Sequence, residues 1–293
     1  MGKWSTSLTE IVNDSYCFCV PEPLTPYRHI SRRSRQMALI KSLSTIFGTA
    51  PSKIIVAEPP PAPHAFPIEF SEPDKYITRY VMERELTVVG KENLFSTVMA
   101  CKYVSEANIP GDFVECGCYR GGNGIVAADV FQRYSQDRKI WLYDTFAGMT
   151  RPGQHDFSNH DGSPVLGHFL NLQRETHNEW VYASLPEVRN NFENAGFLDD
   201  NVKFIQGDVL ETLKAANNLP DQIAVMRLDT DWYESTKIEL DALYPRLSVG
   251  GILVIDDYGH YAGAKKAVDE YFKDMRPYFQ YIDYTARIAI KLK

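Results

Sequence analysis

The chain has 293 residues, a formal net charge of −7 and 44% hydrophobic content, enough for one large α/β domain with an extension and a sizeable core. No apolar run approaches the roughly 20 residues that span a bilayer, and the basic run Arg28 to Arg35 is short, so neither a membrane nor a nucleic acid is expected as partner. Five cysteines, an odd number in scattered groups, fit a reducing cytoplasm better than a secreted disulfide framework.

Residues 1–70 read as an N-terminal extension. It opens Met1-Gly2-Lys3-Trp4-Ser5-Thr6, which matches the loose N-myristoylation pattern and is read as a polar tail. No basic start followed by an apolar core marks a signal peptide. Cys17 and Cys19 lack a second pair nearby and are not expected to hold zinc. Met37, Ile40, Leu43 and Phe47 recur at helical spacing, predicting a helix over 36–47. The run Pro59-Pro60-Pro61-Ala62-Pro63 then acts as a polyproline spacer. The extension is expected to dock on the main domain, 71–293, or on a neighbouring subunit.

From Asp112 strand and helix alternate at intervals typical of βαβ units. Strands are predicted over 113–116, 140–143, 202–205, 223–228 and 251–255, with a closing pair near 279–282 and 287–291. Helices are predicted over 123–134, 184–195, 209–216, 235–247 and 262–275. No helix separates the last two strands, so one must run antiparallel in a hairpin. The fold class is α/β, a doubly wound, seven-stranded, mostly parallel sheet with an N-terminal appendage. The segment 147–182 interrupts the rhythm; it is long, polar and histidine-bearing, and such loops are usually lids or binding loops. Its histidines show no ligand spacing on a regular element, so no metal is expected there.

Acidic residues cluster where the strands end. Arg227-Leu-Asp-Thr-Asp-Trp-Tyr-Glu-Ser-Thr236 and Val254-Ile-Asp-Asp-Tyr-Gly259 each place carboxylates just past a buried apolar run. The carboxyl ends of neighbouring parallel strands converge on one crevice. There Asp229, Asp256 and Asp257 would repel strongly unless a hard divalent cation held them. Asp231 is expected to point elsewhere if the chain stays extended, either capping the next helix or supporting the cation. Trp232, Tyr233, Tyr258 and His260 flank this point as an acceptor platform or as core, with His260 an alternative base.

The first crossover reads Glu115-Cys-Gly-Cys-Tyr-Arg-Gly-Gly-Asn-Gly124, a tight turn into a helix start. Its glycine spacing differs from the dinucleotide fingerprint, and an acid at the strand end suits a cationic ligand. Glu115 would favour the sulfonium and amino group of S-adenosylmethionine. Asp144, ending the second strand, can accept from ribose hydroxyls. Asp208, ending the third, can accept from an adenine amine or cap a helix. Together the three acids predict a nucleoside site.

With these residues in view, the chain resembles the macrocin O-methyltransferase (TylF-type) family. The matching pieces are Arg84-Glu-Leu-Thr-Val-Val-Gly90 with Glu92-Asn93-Leu94, the E-C-G-C-Y-R-G-G loop, D-T-F-A-G-M from Asp144, Ser184-Leu-Pro-Glu-Val-Arg189, and the two acidic motifs. Coverage runs from about Tyr76 to Phe272. The resemblance implies a Rossmann-like class I methyltransferase fold and Mg2+-dependent O-methylation of a sugar hydroxyl on a glycosylated natural product. It implies Asp229, Asp256 and Asp257 as metal ligands, with Asp229 also the general base. It places Glu115, Asp144 and Ser184 on the methyl donor S-adenosylmethionine, with Gly117, Tyr119, Thr145 and Asp208 around it and Thr87 closing over it. It also implies a homo-oligomer. Cys116, Cys118 and Thr230 depart from the family's common residues, and 147–182 matches poorly. The competing readings are a catechol-type O-methyltransferase, a non-catalytic nucleoside-binding scaffold, and a nicotinamide oxidoreductase, the last disfavoured by the glycine spacing.

Overall fold

The structure, a computed structural model, describes residues 66–293. The predicted 36–47 helix, the Cys17/Cys19 pair, the amino-terminal pattern and the proline spacer lie outside the described residues. Within them, five parallel strands form the body of a seven-stranded sheet: β1 (Asp112–Cys116), β2 (Ile140–Asp144), β3 (Val202–Gln206), β4 (Ile223–Leu228) and β5 (Leu247–Ile255). The closing strands are β6 (Gln280–Tyr281) and β7 (Arg287–Ile290). The order is β3-β2-β1-β4-β5-β7-β6. β7 runs antiparallel to both β5 and β6, which is the predicted hairpin. It is the doubly wound, mostly parallel seven-stranded sheet that the sequence led us to expect.

Alternate residues of the central strands feed two cores, as a period of two requires. Phe113, Leu142, Val225 and Val254 pack with α1 (Glu72–Glu83), α2 (Lys91–Glu106), α3 (Gly122–Arg133) and α5 (Leu185–Ala195). Val114, Tyr143, Met226 and Ile255 pack with α6 (Val209–Thr212), α7 (Tyr233–Leu243) and α8 (Ala262–Tyr271). Helices α1 and α2 precede β1 in a stretch for which the pattern predicts no element. Ser71 and Asp74 form a capping box at the start of α1. Asp74, fully buried, then accepts from Lys102 Nζ (2.8 Å) on α2 and Arg133 Nη2 (2.8 Å) on α3. Those ion pairs tie the three helices together.

The last turns of three helices differ from expectation. α8 ends at Tyr271, short of the predicted 275. α7 stops at Leu243 and tightens into a 3-10 turn over Tyr244–Arg246, because Pro245 has no amide to continue the ladder. The helix predicted over 209–216 ends at Thr212. The segment 147–182 contains one short helix, α4 (Leu166–Leu172), and isolated bridges Phe157↔Pro164, Ser158↔Tyr261 and Gln173↔Asn178. Among the described residues no helix is long and apolar enough to cross a membrane.

Candidate active site

The carboxyl ends of the parallel strands open onto one cavity of about 350 Å³, a size common for small-molecule sites. Thr87, Glu115, Gly117, Tyr119, Asp144, Thr145, Asp208, Asp229, Asp256 and Asp257 all line it. Ser184 is not among its lining residues. It is the N-cap of α5, and its hydroxyl accepts from the amide of Glu187 at 3.4 Å.

The loop after β1 is built for close approach. Gly117 has φ +81°, and a Cβ there would lie 1.9 Å from the carbonyl oxygen of Asp229. Only glycine lets the β1 and β4 loops touch in this way. Asp144 shapes the same loop: Oδ2 accepts from the amides of Cys118 (2.8 Å) and Tyr119 (3.2 Å), and Oδ1 from that of Phe146 (2.8 Å). Burial raises its pKa and these amides oppose the rise. Asp208 caps α6 through Leu210 N–H (2.9 Å) while facing the cavity, so the cap expected as its alternative role is made. Burial raises the Cys116 and Cys118 thiols well above their ordinary value, which keeps both protonated and poor as ligands.

A buried cation that the sequence did not single out organises the acids. Arg227, wholly buried in β4, donates to Glu115 Oε1 (3.1 Å), Asp229 Oδ2 (2.8 Å), Asp256 Oδ1 (2.7 Å) and Asn93 Oδ1 (2.6 Å). Asn93 also donates to Asp256. The only signal for Arg227 was a charge inside the otherwise apolar run 223–228. Even so, Glu115 keeps Oε2 buried and unpartnered. Burial pushes its pKa up to about 7 against the opposing charge of Arg227.

Asp229, Asp231 and Asp257 bring carboxylate oxygens within 4.8 Å of one another. The set predicted from sequence was Asp229, Asp256 and Asp257, and here the geometry differs. Successive residues of an extended chain point to opposite sides; Asp256 turns to Arg227 and Asn93, and Asp257 to the cluster. Asp231 was expected to point elsewhere in an extended chain, but positions i and i+2 of such a chain share a side. Its carboxylate does lie with those of Asp229 and Asp257, although its φ of +71° departs from the extended run. Burial, then the neighbouring charge of Asp256, raises Asp229 well above the carboxylate range. Burial pushes Asp231 up to about 8, and burial with Asp231 and Asp256 raises Asp257. Asp257 Oδ2 is buried without a partner. Three oxygens so placed, one of them unpartnered, form a donor set that fits a hard divalent cation.

The aromatic residues divide. Trp232 is core: its ring packs 5.0 Å from Tyr261 and 5.6 Å from Trp180, and Nε1–H donates to Thr150 O (2.9 Å). Tyr233 and Tyr258 send their hydroxyls to Glu270 and Asp269 and do not line the cavity. His260 does, beside Tyr261, Met149 and Trp180, with burial lowering its pKa.

A doubly wound sheet with acids at the tips of β1, β2 and β3 over one cavity, and a carboxylate cluster after β4 and β5, defines a class I methyltransferase. The chain belongs to the macrocin O-methyltransferase (TylF) family, whose profile matches residues 72–288, and is an O-methyltransferase. It is 36% identical over 186 residues to demethyldecarbamoylnovobiocin O-methyltransferase of Streptomyces niveus, covering 63% of this chain and 67% of that one. It is 37% identical over 186 residues, with the same coverage, to 8-demethyl-8-(2,3-dimethoxy-alpha-L-rhamnosyl)-tetracenomycin-C 4'-O-methyltransferase of Streptomyces olivaceus. Among solved structures the O-methyltransferase NovP superposes with a TM-score of 0.62 at 32% identity, over 71% of this chain and 82% of that one.

Proposed function

We propose that this enzyme moves the methyl group of S-adenosylmethionine onto a sugar hydroxyl of a glycosylated natural product, with Mg2+ at the Asp229, Asp231 and Asp257 cluster. One observation carries the reading: a single cavity holds two buried carboxylate oxygens without partners, Glu115 Oε2 and Asp257 Oδ2. Unpaired buried acceptors are costly, and a cationic methyl donor and a divalent cation would satisfy one each. The names of the relatives support the acceptor class, since the Streptomyces olivaceus protein is named for a rhamnosyl position and a Micromonospora griseorubida relative as mycinamicin III 3''-O-methyltransferase.

The sulfonium of the donor supplies a methyl group already activated for transfer. An alcohol resembles water, with a pKa of about 15.7, and a bound divalent cation supplies the polarisation that lowers it. The chain's own residues then divide the work. Glu115 would hold the donor's amino group and Asp144 its ribose, with Asp208 and Thr87 at the rim. Asp229, tied to Arg227 through Oδ2, is the candidate base for the hydroxyl proton. A base in position contributes typically about 10²–10⁴-fold. Tyr261, Trp180 and Met149 present an apolar wall that would exclude water from the reacting oxygen. Free, buried Cys101, Cys116 and Cys118 suit a cytoplasmic enzyme.

The test is donor binding by calorimetry for wild type and Glu115→Gln, followed by acceptor assays with Mg2+. Binding weakened at least about tenfold by Glu115→Gln, and methylation of rhamnosyl-type acceptors with release of S-adenosylhomocysteine, are expected. No donor binding to wild type would overturn the donor site. Turnover of aromatic diols alone would assign the catechol-type reaction instead.

A further inference from the structure

Helix α7 begins without a cap of its own. Its N-cap residue is Trp232, whose side chain makes no capping bond. The amide of Tyr233 is instead taken by Asp156, 77 residues earlier in the chain, whose Oδ1 accepts at 2.9 Å. Asp156 Oδ2 accepts from the amide of Gly153 at 2.7 Å, and the residue is 5% exposed. A Cβ on Gly263 of α8 would fall 1.8 Å from Asp156 Oδ1, so α8 leaves room for this carboxylate. The segment carrying it is fastened nearby: Asn159 N–H donates to His260 O (2.8 Å) and Ala262 N–H to Phe157 O (3.0 Å).

Asp231 lies two residues before Tyr233. An aspartate readily hydrogen-bonds the amide two residues on, and this Asx turn is its default at a helix start. That amide is the one Asp156 occupies. With the local bond taken, Asp231 sits at φ +71° and its carboxylate faces Asp229 and Asp257. A non-glycine residue holds such a conformation only where its surroundings fix it.

We infer that Asp156 is a positioning residue for the cation site: by capping α7 from the 147–182 segment it denies Asp231 its local bond and keeps that carboxylate in the cluster. The cation site is therefore complete only while this segment is docked. The inference rests on the Mg2+ reading of the cluster.

The experiment titrates Mg2+ alone into the full chain by calorimetry, for wild type, Asp156→Ala, Asp156→Asn, Asp231→Asn and the double variant Asp156→Ala/Asp231→Asn. S-adenosylhomocysteine binding and thermal melting serve as controls for folding. Asp156→Ala is expected to bind Mg2+ about 3- to 30-fold more weakly, the range a lost helix cap allows, with nucleoside affinity unchanged. Asp156→Asn keeps an oxygen for Tyr233 N–H and is expected to restore most of the affinity. In the Asp156→Ala background, Asp231→Asn should cost little beyond what is already lost, because Asp231 has left the cluster. Additive losses, or wild-type Mg2+ affinity in Asp156→Ala, would overturn the inference alone. Equal losses of Mg2+ and nucleoside binding in Asp156→Ala and Asp156→Asn would also overturn it, by showing a general packing defect. No Mg2+ binding by wild type would overturn the cation reading and this inference with it.

Discussion

Replacing Arg227 with methionine tests the electrostatics of the site directly. The guanidinium makes four hydrogen bonds and its side chain is 1% exposed. Methionine fills most of its volume but leaves Glu115, Asp229 and Asp256 without their shared countercharge. Asp256 keeps Asn93, and the Asp229 side chain is 20% exposed and can take water. Glu115, at 1%, can do neither as easily, so it should carry most of the penalty. Removing one partner of a buried ion pair costs about 3–5 kcal/mol, a large share of the roughly 5–15 kcal/mol that holds a domain. Urea unfolding at pH 8 should show that loss at an unchanged slope. The loss should shrink at pH 5, because the acids freed of Arg227 bind protons in the native state that ionised unfolded carboxylates do not. Adding Glu115→Gln should return part of it at pH 8. A loss below about 1 kcal/mol at pH 8, or one equal at both pH values, would refute this account of the network.

Two further outcomes follow from the same geometry. Asp257→Asn should weaken Mg2+ binding at least about tenfold, since it removes a charged cluster oxygen that has no protein partner. Asp256→Asn should leave Mg2+ binding within about threefold and cost about 1–3 kcal/mol of stability by confronting Arg227 and Asn93 with a neutral amide. Calorimetry and urea unfolding of both variants check this, and the reverse pattern would return the cation to Asp229, Asp256 and Asp257. The cation-free enzyme should also lose stability as pH rises. Folded Glu115 is held up to about 7 and Asp231 to about 8, both above unfolded carboxylates near 4. The native state thus binds the extra protons, and the stability present below about pH 4 is lost as pH climbs through about 7 and 8. Melting with a chelator should fall across that window, Mg2+ should raise it more at pH 9 than at pH 6, and an opposite slope would refute the assignment.

What could be read from the chain, and what could not, divides along the range of the interaction involved. The run 223–228 is predicted end to end because both faces of β4 are covered and apolar side chains mark every position but Arg227. Glu115, Asp144, Asp208 and Asp229 follow from it, since a carboxylate just past a parallel strand has only the crevice to enter. Ser184 opens a serine-to-proline helix start that is legible as a cap, and its side chain serves that cap and is not among the residues lining the cavity. Asp231 could not be placed at all from its neighbours, whose local preference is a cap at α7. Its place depends on Asp156, which the pattern shows only as one polar residue in an irregular loop. Arg227 was legible as an anomaly but its partners were not, because Asn93 and Asp256 reach it from residues 134 and 29 positions away. Strand tips can therefore be assigned from sequence, while the choice among adjacent acids there is made by distant side chains that occupy the competing hydrogen bonds. Asp256 and Asp257 are divided in this way by Arg227 with Asn93, while Asp156, by taking the competing amide, leaves Asp231 to join Asp229 in the cluster.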